Sequence, residues 1–149
     1  MRAASIPTIL VYTDGACSGN PGPAGLGVVV RYDGDQRELS EYLGHGTNNI
    51  AELTAIARAL DAIPDKTSRV ELYTDSQYAI GVLTKNWKAK ANRELILDIK
   101  QRLAEFTGIT LHYVRGHNGD PLNERADELA VQAVRSQTTT DWIQTPYVE

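Results

Sequence analysis

Residues 9–32 set the architecture of the chain, and they read ILVYTDGACSGNPGPAGLGVVVRY. A short apolar run leads into Asp14 and Gly15, which is the pattern of a buried strand that runs into a loop. Residues 18–23 (SGNPGP) have strong turn chemistry, and a β-branched strand follows over residues 25–32. This stretch therefore predicts two strands that are joined by a loop rich in glycine and proline.

The next part of the chain predicts a hairpin and then a helix. Residues 33–35 (DGD) turn the second strand back into a third, around residues 38–43. From Asn49 the apolar residues recur at the i, i+3, i+4, i+7 spacing of an amphipathic helix, which Pro64 ends. Asn48 or Asn49 is the predicted N-cap of this helix.

The second half of the chain alternates strands with helices. Its predicted elements are a strand over 70–74, a short helix over 75–83, a helix over 96–106 closed by Gly108, a strand over 109–114 and a last helix over 126–134. The order βββαβααβα predicts an α/β fold with a five-stranded mixed sheet flanked by helices. We expect residues 1–135 to form one domain and residues 136–149 a C-terminal tail, either frayed or docked on the body.

Composition excludes several classes of protein. The 149 residues are 42% apolar and 23% charged, which suits one globular domain and excludes a disordered chain or a fibre. The single cysteine, Cys17, excludes a disulfide scaffold and fits a reducing compartment. No run of about 18 apolar residues and no signal-like N-terminus occurs, so we expect a cytoplasmic protein without membrane association.

The net charge of −4 argues against binding of phosphate through bulk positive charge. That total hides its distribution, however. With four acids set aside in one pocket, the 15 Lys and Arg are matched by the remaining Asp and Glu, because the chain has 19 acids. The charge balance therefore does not exclude a nucleic-acid partner.

Four acids occupy positions that solvated surface charges rarely take. Asp14 and Asp75 end apolar strands, where α/β sheets place ligands, and Glu52 and Asp127 adjoin the apolar stripes of their helices. Each has an ordinary structural explanation when it is taken singly. Asp14 suits a turn, Asp75 suits a helix cap, and the other two suit the first turn of a helix.

Together, four converging carboxylates would repel one another. A single like-charge pair at ~4 Å costs about 4 kcal/mol at an effective dielectric constant of ~20. Either shared protons or bound hard cations resolve this repulsion, and oxygen ligands favour Mg²⁺ or Mn²⁺ over zinc. Two such ions ~4 Å apart stabilise the attacking and leaving oxygens of phosphodiester hydrolysis, which points to a nuclease.

Four sequence blocks then carry a family resemblance. Residues 12–25 (YTDGACSGNPGPAG) resemble the opening signature of type 1 ribonuclease H. TNNIAE (47–52), YTDSQY (73–78) and GH-x5-NERADELA (116–130) resemble its other blocks, in the same order. The resemblance covers residues 9–133 and implies a ribonuclease H-like fold.

The resemblance also implies an activity and a metal requirement. It implies endonucleolytic hydrolysis of the RNA strand of an RNA–DNA hybrid by two-metal-ion cleavage, leaving 5′-phosphate and 3′-hydroxyl ends. Two Mg²⁺ ions, or Mn²⁺ in their place, would be held by four acids. Asp14 would bridge both ions, Asp127 would hold the one that activates water, and Glu52 and Asp75 the one that faces the leaving 3′ oxygen. His117 would transfer protons or ease product release, or else make only a local hydrogen bond.

Recognition of a hybrid requires that the 2′-hydroxyl be read in a shallow minor groove. The residues that suit this task are Cys17, Asn20, Asn48, Asn49 and Gln77. By resemblance Thr47 and Asn86 would cradle a phosphate of the DNA strand, with Trp87 against a sugar or base. Turn, cap or core-packing roles are the ordinary alternatives for these residues. His45 and His112 lack such a context and are predicted to be structural or at the surface.

One stretch departs from the family pattern. Many relatives have a long lysine-rich helix after the Asn-Trp pair, whereas this chain has only residues 88–92 (KAKAN). We therefore expect weaker hybrid binding with a shallow salt dependence. The alternatives are a non-catalytic nucleic-acid-binding module of the same fold, an acidic metal-binding protein, and a domain cut from a retroelement polyprotein. The complete acid set and His117 favour an enzyme over the non-catalytic module. Met1 and the complete final helix favour a free-standing enzyme over an excised domain, and we expect a monomer.

Overall fold

A computed structural model describes residues 8–116 and 119–146 of the chain. The strands and helices occur in the order that the sequence predicts, with one further strand at the end. The elements are β1 (Thr8–Cys17), β2 (Gly22–Tyr32), β3 (Asp35–Gly46), α1 (Asn48–Asp61), β4 (Arg69–Thr74), α2 (Gln77–Thr84), α3 (Arg93–Ala104), β5 (Gly108–Tyr113), α4 (Pro121–Ser136) and β6 (Thr140–Pro146).

The strands form one mixed sheet in the order β5-β4-β1-β2-β3-β6. β4 pairs in parallel with β1 and β5, and the other pairs are antiparallel. The predicted mixed α/β sheet with flanking helices is confirmed, with six strands where five were predicted. The additional strand is β6, which comes from the tail and pairs with β3. The division into a domain of residues 1–135 and a tail of residues 136–149 stays a prediction.

Two layers of helices enclose the sheet, and the side chains of β2 divide between them. Leu26 and Val28 belong to the main core, in which α1 is buried through residues such as Leu53. Val29 belongs to a second cluster with Leu129 of α4. Because successive residues of a strand point to opposite faces, α1 and α4 cover opposite sides of the sheet. None of the helices in the described ranges is both long and apolar enough to span a lipid bilayer.

Three predicted details are corrected by the structure. The N-cap of α1 is Thr47 rather than Asn48 or Asn49, because its side chain accepts a hydrogen bond from the backbone N–H of Ile50 at 3.2 Å. Asp14 lies inside β1 rather than at its end, since antiparallel pairing with β2 extends the strand as far as Cys17. α3 begins and ends earlier than predicted, over Arg93–Ala104.

Candidate active site

Strand register places the first two acids side by side. In the parallel pair of β1 and β4, Thr13 lies opposite Thr74. Asp14 is the next residue of β1, and Asp75 follows directly after β4. Their side chains therefore emerge side by side on the same face of the sheet. The parallel pairing of β1 with β4 thus explains how Asp14 and Asp75, which are far apart in sequence, meet here.

Glu52 reaches the same place because α1 packs directly on β1 at Ala51 and Glu52. A Cβ at Gly15 would lie only 2.6 Å from the backbone nitrogen of Glu52 and 2.8 Å from Cβ of Ala51. Only glycine permits this approach without displacement of the helix. Gly15 therefore determines how closely the Glu52 carboxylate approaches Asp14.

Asp127 is brought in from the opposite layer by a second close contact. Asp14 lies opposite Gly27 in the β1–β2 pair. A Cβ at Gly27 would lie 2.1 Å from the backbone oxygen of Ala126, so α4 rests directly on the backbone of β2. Asp127 follows Ala126 in the helix and is half-buried beside the other acids. Asp127 is one of the groups that raise the pKa of Asp14, so the two carboxyl groups lie near each other.

The acids form a tight cluster with unequal burial. One carboxylate oxygen from each of Asp14, Glu52 and Asp75 lies within 4.8 Å of the others. Asp14 is 3% exposed and Glu52 is 4% exposed, whereas Asp75 and Asp127 are half-buried. Burial raises the pKa of Asp14 well above its ordinary value, and the charges of Glu52 and Asp75 raise it further. Burial also raises the pKa of Glu52, with Asp75 as the next cause.

The donor set fits a hard divalent cation. The cluster offers only carboxylate oxygens, which are the ligands that Mg²⁺ and Mn²⁺ prefer. One of these atoms, Oε2 of Glu52, is buried and has no hydrogen-bond partner in the part of the chain that the structure describes. A buried carboxylate oxygen without a partner is costly, and a bound cation would satisfy it.

Several predicted substrate residues lie in the loop and helix start next to the acids. Oδ1 of Asn20 accepts a hydrogen bond from the backbone N–H of Asn48 at 3.0 Å. The thiol of Cys17 approaches the backbone oxygen of Gly46 at 3.4 Å. The first contact joins the loop after β1 to the start of α1, where Asn49 is exposed, and the second joins the ends of β1 and β3. The hydroxyl of Thr47 is already used as the helix cap.

A groove of about 270 Å³ contains two more of the predicted residues, and its lining is Gln77, Ile80, Lys85, Trp87 and Tyr113. The Trp87 ring is 51% exposed and the Tyr113 ring 46% exposed, so two aromatic faces are available to a ligand. The side-chain oxygen of Asn86 is not in this lining and instead accepts from Nζ of Lys100 at 3.2 Å. Sequence reasoning missed Tyr113, because an aromatic residue in a strand usually belongs to the core.

The structure describes two of the three histidines, and they lie in different environments. His117 lies outside the described residues, and its predicted role stays a prediction. The preceding Gly116 passes close to the acids, since a Cβ there would lie 3.1 Å from Oδ2 of Asp75. His45 is exposed. His112 pairs with Glu71 and stacks on an aromatic ring of the sheet, which fits a structural residue.

Comparisons with known proteins agree with this fold and cluster. The sequence model of one family, RNase H, matches residues 7–135. The ribonuclease H of Desulforamulus reducens is 44% identical over 144 residues, which cover 88% of this chain and 90% of the relative.

Two solved structures extend the comparison. The RNase H1 of the halophilic archaeon Halobacterium salinarum superposes with a TM-score of 0.72 at 31% identity, covering 87% of this chain and 98% of that one. LC11-RNase H1, whose crystal structure is a complex with RNA/DNA hybrid, gives a TM-score of 0.71 at 29% identity, covering 87% and 98%.

A mixed sheet with clustered carboxylates beside its parallel strands is the architecture of an α/β nuclease, and ribonuclease H relatives indicate the same class. The chain belongs to the ribonuclease H family.

Proposed function

We propose that the protein is a metal-dependent endonuclease that hydrolyses the RNA strand of RNA–DNA hybrids. The observation that carries this proposal is the convergence of Asp14, Glu52 and Asp75, whose carboxylate oxygens lie within 4.8 Å of one another. Family membership supports the substrate, since the related LC11-RNase H1 has been crystallised with an RNA/DNA hybrid.

Two divalent cations would be held by the four acids, with Mg²⁺ as the natural ion and Mn²⁺ as a substitute. Asp14 would contact both, Glu52 and Asp75 would hold the one on the leaving-group side, and Asp127 would hold the other. When bound, such a pair stabilises charge on the attacking and leaving oxygens of an in-line displacement. Cleavage would leave 5′-phosphate and 3′-hydroxyl ends.

The chain's own residues prepare this site before any substrate arrives. Oδ1 of Asp14 accepts a hydrogen bond from the backbone N–H of Gly15 at 2.9 Å, which orients the carboxylate. Glu52 is fixed by its burial at the start of α1. Fixed polar groups of this kind cost no reorganisation during the reaction. His117 would then move protons or assist product release.

The residues around the acids would distinguish RNA from DNA. Cys17, Asn20, Asn48, Asn49 and Gln77 would approach the minor groove and the 2′-hydroxyls. Thr47 and Asn86 would contact a phosphate of the DNA strand, and Trp87 would lie against a sugar or base. The exposed face of Trp87 in the groove supports that last contact.

A monomer in the cytoplasm is the simplest setting for this activity. Asp14, Glu52 and Asp75 all come from one chain, so the cluster needs no second copy. The single cysteine, Cys17, suits a reducing compartment. Sedimentation of the purified protein would test the monomer.

One gel tests the proposed function. End-labelled RNA–DNA hybrid, duplex RNA and duplex DNA are incubated with the protein in Mg²⁺, with parallel lanes in EDTA. We expect internal cleavage of the RNA strand of the hybrid alone, and none in EDTA. Asp14→Asn is the matched control for a contaminating nuclease. Cleavage in EDTA, or equal cleavage of duplex DNA, would contradict the proposal.

A further inference from the structure

One partly buried hydrogen bond ties β1 to the beginning of α4. The hydroxyl of Tyr12 donates to Oδ2 of Asp120 across 2.9 Å, although the residues are 108 positions apart in sequence. Tyr12 is only 8% exposed, and Asp120 is half-buried. It joins the strand that carries one acid to the helix that carries another.

Asp120 uses its other oxygen to start the helix. Its Oδ1 accepts from the backbone N–H of Leu122 at 3.0 Å and from that of Asn123 at 3.4 Å, which makes it the N-cap of α4. One carboxylate therefore contacts both the first turn of α4 and the side chain from β1. Asp127 lies two helical turns further along the same rigid element.

Tyr12 also belongs to a row of rings beside the acids. Because side chains alternate along a strand, Tyr12 shares a face with Asp14, and Tyr73 shares one with Asp75. The rings of Tyr12 and Tyr73 stack with centroids 4.7 Å apart, and Tyr73 stacks on His112 at 4.8 Å. This stack fixes the Tyr12 ring, so its hydroxyl is held in one direction.

Two other side-chain bonds of α4 lie further along the helix and join it to β3. Oγ of Ser40 donates to the backbone oxygen of Leu129 at 2.7 Å. Arg125 makes an ion pair with Glu38 at 2.8 Å. Neither bond joins α4 to β1, whereas the Tyr12–Asp120 bond does so at the beginning of the helix.

We propose that Tyr12 and Asp120 are positioning residues that set where Asp127 lies relative to Asp14. The inference rests on the proposed function, because it concerns the geometry of the acid cluster. Without the Tyr12 hydroxyl, the start of α4 and the loop before it would have one restraint fewer. Asp127 would then spend less time in the arrangement that the reaction needs.

The test uses Tyr12→Phe, which removes the hydroxyl and keeps the ring. Tyr73→Phe is the matched control, because it removes the hydroxyl of the stacked neighbour, for which the described residues show no hydrogen-bond partner. Hybrid cleavage is measured as kcat and KM, and Mn²⁺ alone is titrated into each protein by calorimetry. We expect Tyr12→Phe to lower kcat about tenfold, with KM within about twofold of wild type and weaker Mn²⁺ binding. Tyr73→Phe should change none of these.

Asp120→Asn provides a second variant, since asparagine also caps helices well but offers only one acceptor oxygen. Because both residues act through one bond, the double variant should lose no more than the larger single loss. Wild-type kcat and Mn²⁺ affinity in Tyr12→Phe, or losses that multiply in the double variant, would overturn the inference. If Tyr12→Phe does not fold, Asp120→Asn decides by the same two readouts. If wild-type protein cleaves no hybrid, the proposed function fails, and the Mn²⁺ titration alone decides the positioning role.

Discussion

The acid cluster and the groove beside Trp87 lie at the same end of the sheet, since Tyr113 in the groove pairs with Thr74 next to Asp75, but they are built in opposite ways. The cluster joins carboxylates from β1, α1 and the residue after β4, and its central members are buried. The groove is lined mainly by α2 and the segment after it, and its aromatic rings are half exposed. The cluster is thus part of the core, whereas the groove lies on the surface. Changes in the cluster should alter both turnover and stability, and changes in the groove should alter binding alone.

Asp14→Asn should have the largest combined effect on turnover and stability. We expect hybrid cleavage to fall about a thousandfold or more, the scale on which a single preorganised electrostatic group acts. Hybrid binding should persist, because the change removes charge without volume. The free energy of unfolding in EDTA should rise, since burial and the charges of Glu52 and Asp75 disfavour the ionised Asp14. Single-turnover cleavage and urea denaturation check both effects, and wild-type cleavage in Mg²⁺ would refute the metal assignment.

Asp127→Asn should have a smaller effect. Asp127 is half-buried, and the amide keeps one oxygen in place. We expect kcat to fall about tenfold, which corresponds to about 1.4 kcal/mol, with little gain of stability in EDTA. The same two assays measure this, with Asp14→Asn as the reference. Equal losses in the two variants would show that the buried and half-buried acids contribute alike.

The pH dependence of stability should distinguish the buried acids from the carboxylates at the surface. The pKa values of Asp14 and Glu52 are raised in the folded protein, chiefly by burial. Their stabilising contribution is therefore complete below the ordinary carboxyl pKa of about 4 and is lost as pH rises through the raised values. In EDTA we expect the free energy of unfolding to fall between about pH 5 and pH 9, and to fall less in Asp14→Asn. Urea denaturation across this range gives the result, and an equal slope in both proteins would contradict it.

The groove should give the mildest effects. With only a short basic segment over residues 88–92, the plot of log hybrid affinity against log salt should have a slope below that of eight phosphate contacts. Lys85→Gln should lower the slope by about one contact and leave stability unchanged. Lys66→Gln is the matched control, because Lys66 lies over the Phe106 ring before β4, at the other end of that strand from Asp75. Anisotropy of labelled hybrid measures the slope, and equal effects of the two changes would refute a role for Lys85.

Most of the fold could be predicted because its elements have strong periodic patterns. Leu53, Ile56 and Leu60 recur at helical spacing and are buried in α1 as that spacing requires. β6 was not predicted, because most of its side chains are exposed and only its pairing with β3 makes it a strand. Polar residues that pair with a distant strand leave little local signal.

Three acids of the cluster could be proposed from sequence, but their contacts could not. Residue type and position mark Asp14 and Asp75 as candidates, yet their proximity depends on the register of β1 against β4. Thr47 was assigned to phosphate binding, while its hydroxyl caps α1. The bond from Tyr12 to Asp120 has no local signal at all, since it spans 108 positions.

The strand formed by the tail has a further consequence for how copies of the protein meet at high concentration. β3 is twelve residues long, and as an outer strand it would offer a long template for pairing between molecules. β6 pairs with residues 35–40 of this strand, and it is only seven residues long and ends at Pro146, whose ring has no N–H to donate. The first half of β3 is thereby withdrawn from pairing between molecules, and the outer strand that replaces it offers a shorter template for edge-to-edge aggregation.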